Sequence, residues 1–229
     1  MMGSFMEREN EIFDILESFN RSGLKYVLIG DYAVSAYMHR FSVDADVCIN
    51  KKDSGLFKGM LETKHFSLTK RKDLEDTYKG AFECYIKKTK LPVTVDLLIG
   101  SVVSRQTDAS IGFDRLYANS AIKRIVGSEK EITARIPIKE LLIALKIHSA
   151  RLTDARDIAA LCHNINFDSV EKFMQDGDNK KIQDNLDQLL SFFNNPNFID
   201  SFKGVFSIEK LPSDNIRNAI KLMERLKAD

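Results

Sequence analysis

Cysteine is scarce in this chain, and its arrangement excludes two classes of small stabilised fold. The 229 residues include three cysteines, Cys48, Cys84 and Cys162. An odd number at wide spacing, with no Cys-x-x-Cys pair, supports neither a disulfide framework nor a cysteine-rich zinc site. Thiols without partners are typical of a reducing compartment, so the sequence predicts a cytoplasmic protein.

Net charge and long apolar runs are lacking as well. Lys and Arg number 34 against 33 Asp and Glu, a formal net charge of +1, so no global field attracts nucleic acid or a membrane surface. No apolar run approaches the length of a transmembrane helix, and the first residues lack the apolar core of a signal peptide. We therefore expect no membrane partner, and any polyanion must be bound by a local patch.

The most informative stretch begins with a short apolar run, Tyr26 to Ile29, that stops at Gly30. A compact amphipathic segment follows, and then an alternating run in which Asp44 and Asp46 share one parity. Residues of one parity lie on one face of a strand, roughly 7 Å apart at their bases. The stretch therefore predicts a strand, a glycine turn, a helix, and a second strand with paired carboxylates.

A third carboxylate, Asp96, is the only charge in the apolar run from residue 93 to 99. A buried carboxylate is costly without a cation, a metal or strong hydrogen-bond donors. If its strand neighbours that of Asp44, three carboxylates converge, as a two-metal phosphoryl or nucleotidyl transfer site requires. Structural interpretations remain open: a solvated strand face for Asp44 and Asp46, and an arginine or backbone amides opposite Asp96.

The remaining pattern predicts an α+β chain of two domains. An amphipathic first helix is indicated by apolar residues at i, i+3, i+4 and i+7, namely Ile12, Ile15, Leu16 and Phe19. Strands are predicted at 66–71, 77–87 and 93–100, with a hairpin at 121–136 that turns at Gly127-Ser128 and mostly loop at 101–119. After Pro137 only helices are predicted, at 138–149, 153–163, 168–174, 180–193 and 213–227. We therefore predict an α/β domain of residues 1–136 and a helical domain of residues 137–229.

This combination of motifs resembles the nucleotidyltransferase superfamily that includes DNA polymerase β. The family motif is a strand ending in Gly-Gly or Gly-Ser, then Asp-x-Asp or Asp-x-Glu, and a third Asp on a later strand. The matching residues are Ile29-Gly30, Asp44-Ala45-Asp46 and Asp96. The region 24–162 is most similar to the prokaryotic AbiEii-like and minimal nucleotidyltransferases, which include toxin–antitoxin members. A later helical stretch supports this branch through Lys146, Arg151, Arg156 and Asp157.

The resemblance implies a mixed sheet flanked by helices, the nucleotidyltransferase fold, followed by a helical C-terminal domain. It also implies transfer of a nucleoside monophosphate from an NTP such as ATP to an acceptor hydroxyl on a protein, an RNA or a small molecule. Asp44, Asp46 and Asp96 would bind Mg²⁺ or Mn²⁺, and Asp96 would help to deprotonate the acceptor.

Contacts with the nucleotide are implied at four further positions, Gly30, Asp31, Arg40 and Lys146. Gly30 would let the backbone approach the triphosphate. Arg40 would contact a phosphate, or pair with Asp44 when no metal is bound. Lys146 would reach the phosphates, or else snorkel from an apolar helix.

Asp31 departs from the family pattern, in which Gly or Ser is usual. A carboxylate here would cap a helix that starts at Tyr32, but it would repel a triphosphate. Two other functions therefore stay open. One is a catalytically degenerate binding module, such as an antitoxin-like protein; the other is an α/β scaffold whose acids are structural.

Overall fold

The computed structural model describes residues 2–74, 80–210 and 212–228. The chain divides into two compact units, one formed by Met1–Val102 and Ile111–Pro137, the other by Val103–Ser110 and Ile138–Asp229. Compared with the predicted boundary near residue 136, the second unit also includes residues 103–110. Thr107 explains this, because its buried hydroxyl lies 2.8 Å from His148 Nδ1 and its carbonyl accepts from the Asp178 amide at 2.6 Å.

The first unit contains a five-stranded mixed sheet with the order β1-β2-β5-β4-β3. Its strands are β1 (Tyr26–Ile29), β2 (Asp44–Ile49), β3 (Ser67–Asp73), β4 (Ala81–Lys87) and β5 (Val93–Ile99). Only β2 and β5 run parallel; the other neighbouring pairs are antiparallel. Both predicted strands before β5 are confirmed where the structure describes them, whereas Thr77 to Lys79 lie outside the described residues.

Helices complete the first unit: α1 (Met2–Arg21), α2 (Gly30–Ser35), α3 (Ser54–Thr63) and α4 (Phe113–Ala118), with a 3₁₀ turn at Lys51–Asp53. The predicted first helix is confirmed, since Ile12, Ile15, Leu16 and Phe19 are all buried. Phe19 meets Phe57 of α3 edge to face, with ring centroids 4.8 Å apart. Buried residues alternate along β5 with half-buried ones, so one face of this strand lies in the core and the other remains accessible.

Two hairpins follow the sheet. The first pairs β6 (Ser101–Ser104) with β7 (Ala109–Gly112), and the second pairs β8 (Ser120–Val126) with β9 (Glu131–Pro137). The second hairpin is confirmed, but its turn comprises the four residues from Gly127 to Lys130 and is longer than the predicted Gly127-Ser128. The prediction of mostly loop at 101–119 is wrong, because strands of four residues are too short to show a period in the sequence.

The second unit is mainly helical. Its helices are α5 (Lys139–Ser149), α6 (Leu152–Leu161), α7 (Phe167–Phe173), α8 (Asn179–Phe193), α9 (Phe198–Phe206) and α10 (Ser213–Ala228). All five predicted helices are present. Sequence reasoning missed α9, although Phe198, Phe202 and Phe206 recur every four residues and are all buried. Within the described ranges, no helix has both the length and the apolarity needed to cross a membrane.

Candidate active site

Three carboxylates share one face of the five-stranded sheet. In β2, Asp44 and Asp46 are half-buried and alternate with the fully buried Ala45 and Val47. The parallel register with β5 sets Asp46 directly opposite Asp96. Opposite residues in neighbouring strands project to the same side of a sheet. The strand of Asp96 therefore neighbours the strand of Asp44, which is the condition for the three carboxylates to converge.

Asp96 lies in an environment that disfavours its charge. Burial raises the pKa of this carboxyl above its ordinary value, and the nearby charge of Asp44 adds to the rise. A hydrogen bond with the Cys84 thiol and the positive charge of Lys70 oppose part of it. Among the described residues, Asp96 Oδ1 is a buried oxygen with no hydrogen-bond partner. A buried acceptor of this kind is costly and is available to a proton or a cation.

Asp44 is held from its own loop. The Ser42 hydroxyl lies 3.2 Å from Asp44 Oδ1 and donates to the Asp44 carbonyl at 3.0 Å. This contact fixes the chain where it enters β2. It therefore restricts the carboxylate at the start of the strand.

Gly30 and Asp46 occupy interlocking positions. Gly30 has a φ of +67°, and a Cβ built on it would lie 2.1 Å from Asp46 Oδ2. A positive φ is strained for residues other than glycine, and 2.1 Å is far inside van der Waals contact. Only glycine fits here, because the Asp46 carboxylate fills the space that a side chain would take.

The predicted capping role of Asp31 is wrong. Helix α2 begins at Gly30 and not at Tyr32, so Asp31 lies within its first turn. Its carboxylate instead forms an ion pair with Arg40, with Nη2 2.7 Å from Oδ2. Arg40 is buried, so the charge of Asp31 is matched at short range by a cation from the following loop.

Lys146 has a different environment from the one predicted. In α5 it is buried, and its Nζ lies 2.6 Å from Asp157 Oδ2 and 3.2 Å from Asp154 Oδ1. Both carboxylates are fully buried, and Arg151 also pairs with Asp154 at 2.8 Å. Burial would raise the pKa of Asp154, but the Arg151 hydrogen bonds and the charge of Lys146 outweigh it and lower the pKa. These ion pairs give Lys146 a structural role within the second unit.

The carboxylate face fits a hard divalent cation. Mg²⁺ and Mn²⁺ prefer oxygen ligands, and three aspartates on one face, one with an unpaired buried oxygen, supply them. Within the described ranges, no three His, Cys, Asp or Glu side chains already converge as a complete metal-binding group. Binding would therefore require the aspartate side chains to close around the ion.

Sequence reasoning did not connect three contributors with this site. Ser42 restrains Asp44, Cys84 bonds to Asp96, and Lys70 places a positive charge near Asp96. Alternation along β4 indicates the face of Cys84, but only strand pairing reveals that this thiol lies opposite Asp96. None of the three had a local signal that linked it to the aspartates.

The fold is similar to that of two solved structures from Helicobacter pylori. One, provisionally described as a nucleotidyltransferase, aligns with a TM-score of 0.54 and 16% identity over 98% of this chain and 95% of its own. The other, JHP933, aligns with a TM-score of 0.50 and 15% identity over 98% of this chain and 92% of its own. No protein-family profile matches the sequence, and no curated protein matches it.

These similarities confirm the predicted fold. The alignments extend over nearly all of this chain, so they include the sheet with the aspartates and the helical C-terminal part. The narrower resemblance to the AbiEii-like branch stays a prediction.

Proposed function

Because the chain has the nucleotidyltransferase fold, we propose that it is a metal-dependent nucleotidyltransferase. It would move a nucleoside monophosphate from an NTP to an acceptor hydroxyl. The observation that carries this proposal is the register of β2 and β5, which aligns Asp46 with Asp96 and leaves Asp44 on the same face. A structural role alone gives no reason for three acids to share one face with an unpaired buried oxygen on Asp96.

Each aspartate has a distinct part in this proposal. Asp44 and Asp46 would hold Mg²⁺ or Mn²⁺, with Asp46 oriented against the Gly30 backbone and Asp44 restrained by Ser42. Asp96 would complete the ligand set from β5. The chemistry supplied by the bound ions is activation of the attacking oxygen and neutralisation of charge on the departing pyrophosphate.

The reaction is a displacement at the α-phosphorus of the NTP. The acceptor oxygen forms a bond to this phosphorus, and the bond to the bridging oxygen breaks and releases pyrophosphate with its electron pair. The hydroxyl proton goes to the Asp96 carboxylate. Asp96 Oδ1, a buried acceptor with no hydrogen-bond partner among the described residues, is the atom that would receive it.

The Asp31–Arg40 ion pair supports nucleotide binding. An uncompensated carboxylate beside a triphosphate would be repulsive, and this was the reason to consider a degenerate binding module. With the Arg40 guanidinium 2.7 Å from the carboxylate, most of that repulsion is cancelled locally. We therefore favour the enzyme over the binding module, and we omit Lys146 from the nucleotide contacts because buried carboxylates already engage it.

A thermal-shift screen against each NTP, with and without Mg²⁺ or Mn²⁺, tests the proposal. A ligand at a hundred times its Kd stabilises by about 2.7 kcal/mol, which corresponds to about 5–10 °C for a chain of this size. Asp46→Asn should abolish the metal-dependent shift. Asp53→Asn is the matched control, because it removes the same charge beyond the other end of β2. If no NTP stabilises the native chain in the presence of either metal, the proposal is wrong.

A further inference from the structure

One row of side chains crosses the sheet on the carboxylate face. Asp46 lies opposite Asp96, Asp96 opposite Cys84, and Cys84 opposite Lys70 of the edge strand β3. The row places a lysine two strands from Asp96, about 9.6 Å at the backbone. Burial raises the pKa of both Asp96 and Cys84, and the charge of Lys70 opposes part of each rise, so this charge acts on the row.

An irregularity in β3 brings Lys70 to this face. Leu68 lies opposite Tyr85, but the next paired residue, Lys70, lies opposite Cys84, so one extra residue is inserted in β3. In a regular register Thr69 would lie opposite Cys84, and Lys70 would lie on the other face, opposite Glu83. Bulges commonly redirect a side chain next to an active site. The bulge therefore places Lys70 on the same face of the sheet as the aspartates.

The basic residues of β3 differ in how their charges are matched. Arg71 lies 3.0 Å from Asp73 and 3.5 Å from Glu83, so it is already paired. The Lys70 side chain is exposed, and its amino group makes no hydrogen bond or ion pair with the part of the chain that the structure describes. It is thus a cation on the carboxylate face, two strands from Asp96, with its donors available to a ligand.

We propose that Lys70 binds a phosphate group of the substrate at the carboxylate site. This inference rests on the proposed nucleotidyl transfer. It gives Lys70 the contact with phosphate that the sequence analysis expected of Lys146. An ammonium group binds phosphate as a point charge, and it offsets the repulsion that the aspartates exert on an incoming anion. The phosphate belongs either to the NTP or to an acceptor that carries phosphates.

Binding measurements on three variants test the role of Lys70. Lys70→Gln removes the charge, Lys70→Arg keeps it, and Lys72→Gln removes the same charge from the same exposed strand one rung farther along, opposite Phe82 and not Cys84. The probes are Mg²⁺ with inorganic tripolyphosphate, Mg²⁺ with the NTP that stabilises the native chain, and a short single-stranded RNA. Because β3 is exposed along its length, all three variants should melt close to the native chain.

We expect Lys70→Gln to weaken binding about fivefold to tenfold and to flatten its salt dependence, since one charge contact with phosphate is lost. Lys70→Arg should restore most of the affinity, and Lys72→Gln should change it less than twofold. A loss with tripolyphosphate and the NTP assigns the phosphate to the donor. A loss confined to the RNA assigns it to the acceptor.

Two results would overturn the inference alone while the proposed function stands. One is native-like binding of all probes by Lys70→Gln; the other is an equal loss in Lys72→Gln. Failure of the native chain to bind any NTP would instead overturn the proposed function, and the role of Lys70 with it.

Discussion

Substitution of Gly30 tests the geometry on which the site depends. A Cβ at this position would lie 2.1 Å from Asp46 Oδ2 and 3.0 Å from Asp46 Cγ, at a φ of +67°. The left-handed backbone costs about 1–2 kcal/mol for alanine, and moving the Asp46 carboxylate off its rotamer adds about 1 kcal/mol. We therefore expect Gly30→Ala to lower the free energy of unfolding by about 2–3 kcal/mol.

A double-mutant cycle separates the two contributions. In an Asp46→Ala background the contacts with Oδ2 and Cγ are gone, so the backbone strain and a tight 3.3 Å contact with the Cβ of residue 46 remain. Gly30→Ala should then cost about 1 kcal/mol less than it does in the native chain. The assay is urea unfolding of the metal-free chains, followed by far-UV circular dichroism because the sequence has no tryptophan.

Metal binding gives an independent measure of the same conflict. The displaced Asp46 carboxylate is a proposed ligand, so Gly30→Ala should also weaken Mn²⁺ binding at temperatures where the variant is fully folded. Additive effects of Gly30→Ala and Asp46→Ala in the cycle, or a Gly30→Ala chain as stable as the native one, would refute the interlocked geometry.

Two further predictions concern buried charge. The raised folded pKa of Asp96 means that its contribution to stability is present below the unfolded pKa and is lost as pH rises through the folded value. Metal-free Asp96→Asn should therefore be about 1 kcal/mol more stable to unfolding than the native chain at pH 7 and melt about 2–4 °C higher. This difference in melting temperature should vanish near pH 3. An equal or lower melting temperature at pH 7 contradicts the prediction. Lys146→Met should cost about 3–5 kcal/mol in urea unfolding, because it removes a buried cation that pairs with Asp157 and Asp154, both fully buried. The exposed Lys180→Met is its control, and a loss below about 1 kcal/mol would show that these ion pairs are not needed.

Much of the fold was predictable because its helices and strands follow from the short-range spacing of apolar residues in the sequence. The apolar spacing of Ile12, Ile15, Leu16 and Phe19 predicted α1, and all four residues are buried. Alternation in β2 placed Asp44 and Asp46 on one face before any partner strand was known. The elements that were missed are short, as with the four-residue strands β6 and β7, or lie in a region with few other signals, as with α9.

The candidate site was predictable only in part, since its geometry depends on pairings between distant segments. Asp31 and Arg40 show that sequence patterns can fail even for residues close together in the chain. The sequence predicted that the Asp31 carboxylate caps a helix, but it forms an ion pair with Arg40 from the loop after α2. Lys146 shows the same limit on a helix. The prediction placed Lys146 on an apolar face of its helix. The two buried acids of α6 that pair with it are brought near only by the packing of α5 against α6.

The sequence by itself determined which residues could do chemistry: two aspartates of one parity, a third in an apolar strand, and a glycine before a helix. Tertiary structure decided that Asp96 lies opposite Asp46, that the Asp46 carboxylate occupies the space beside Gly30, and that a bulge brings Lys70 to the same face. The reason is physical. The face of a strand follows from its two-residue period, but its neighbour and register are set by burial and hydrogen bonding between segments far apart in the chain.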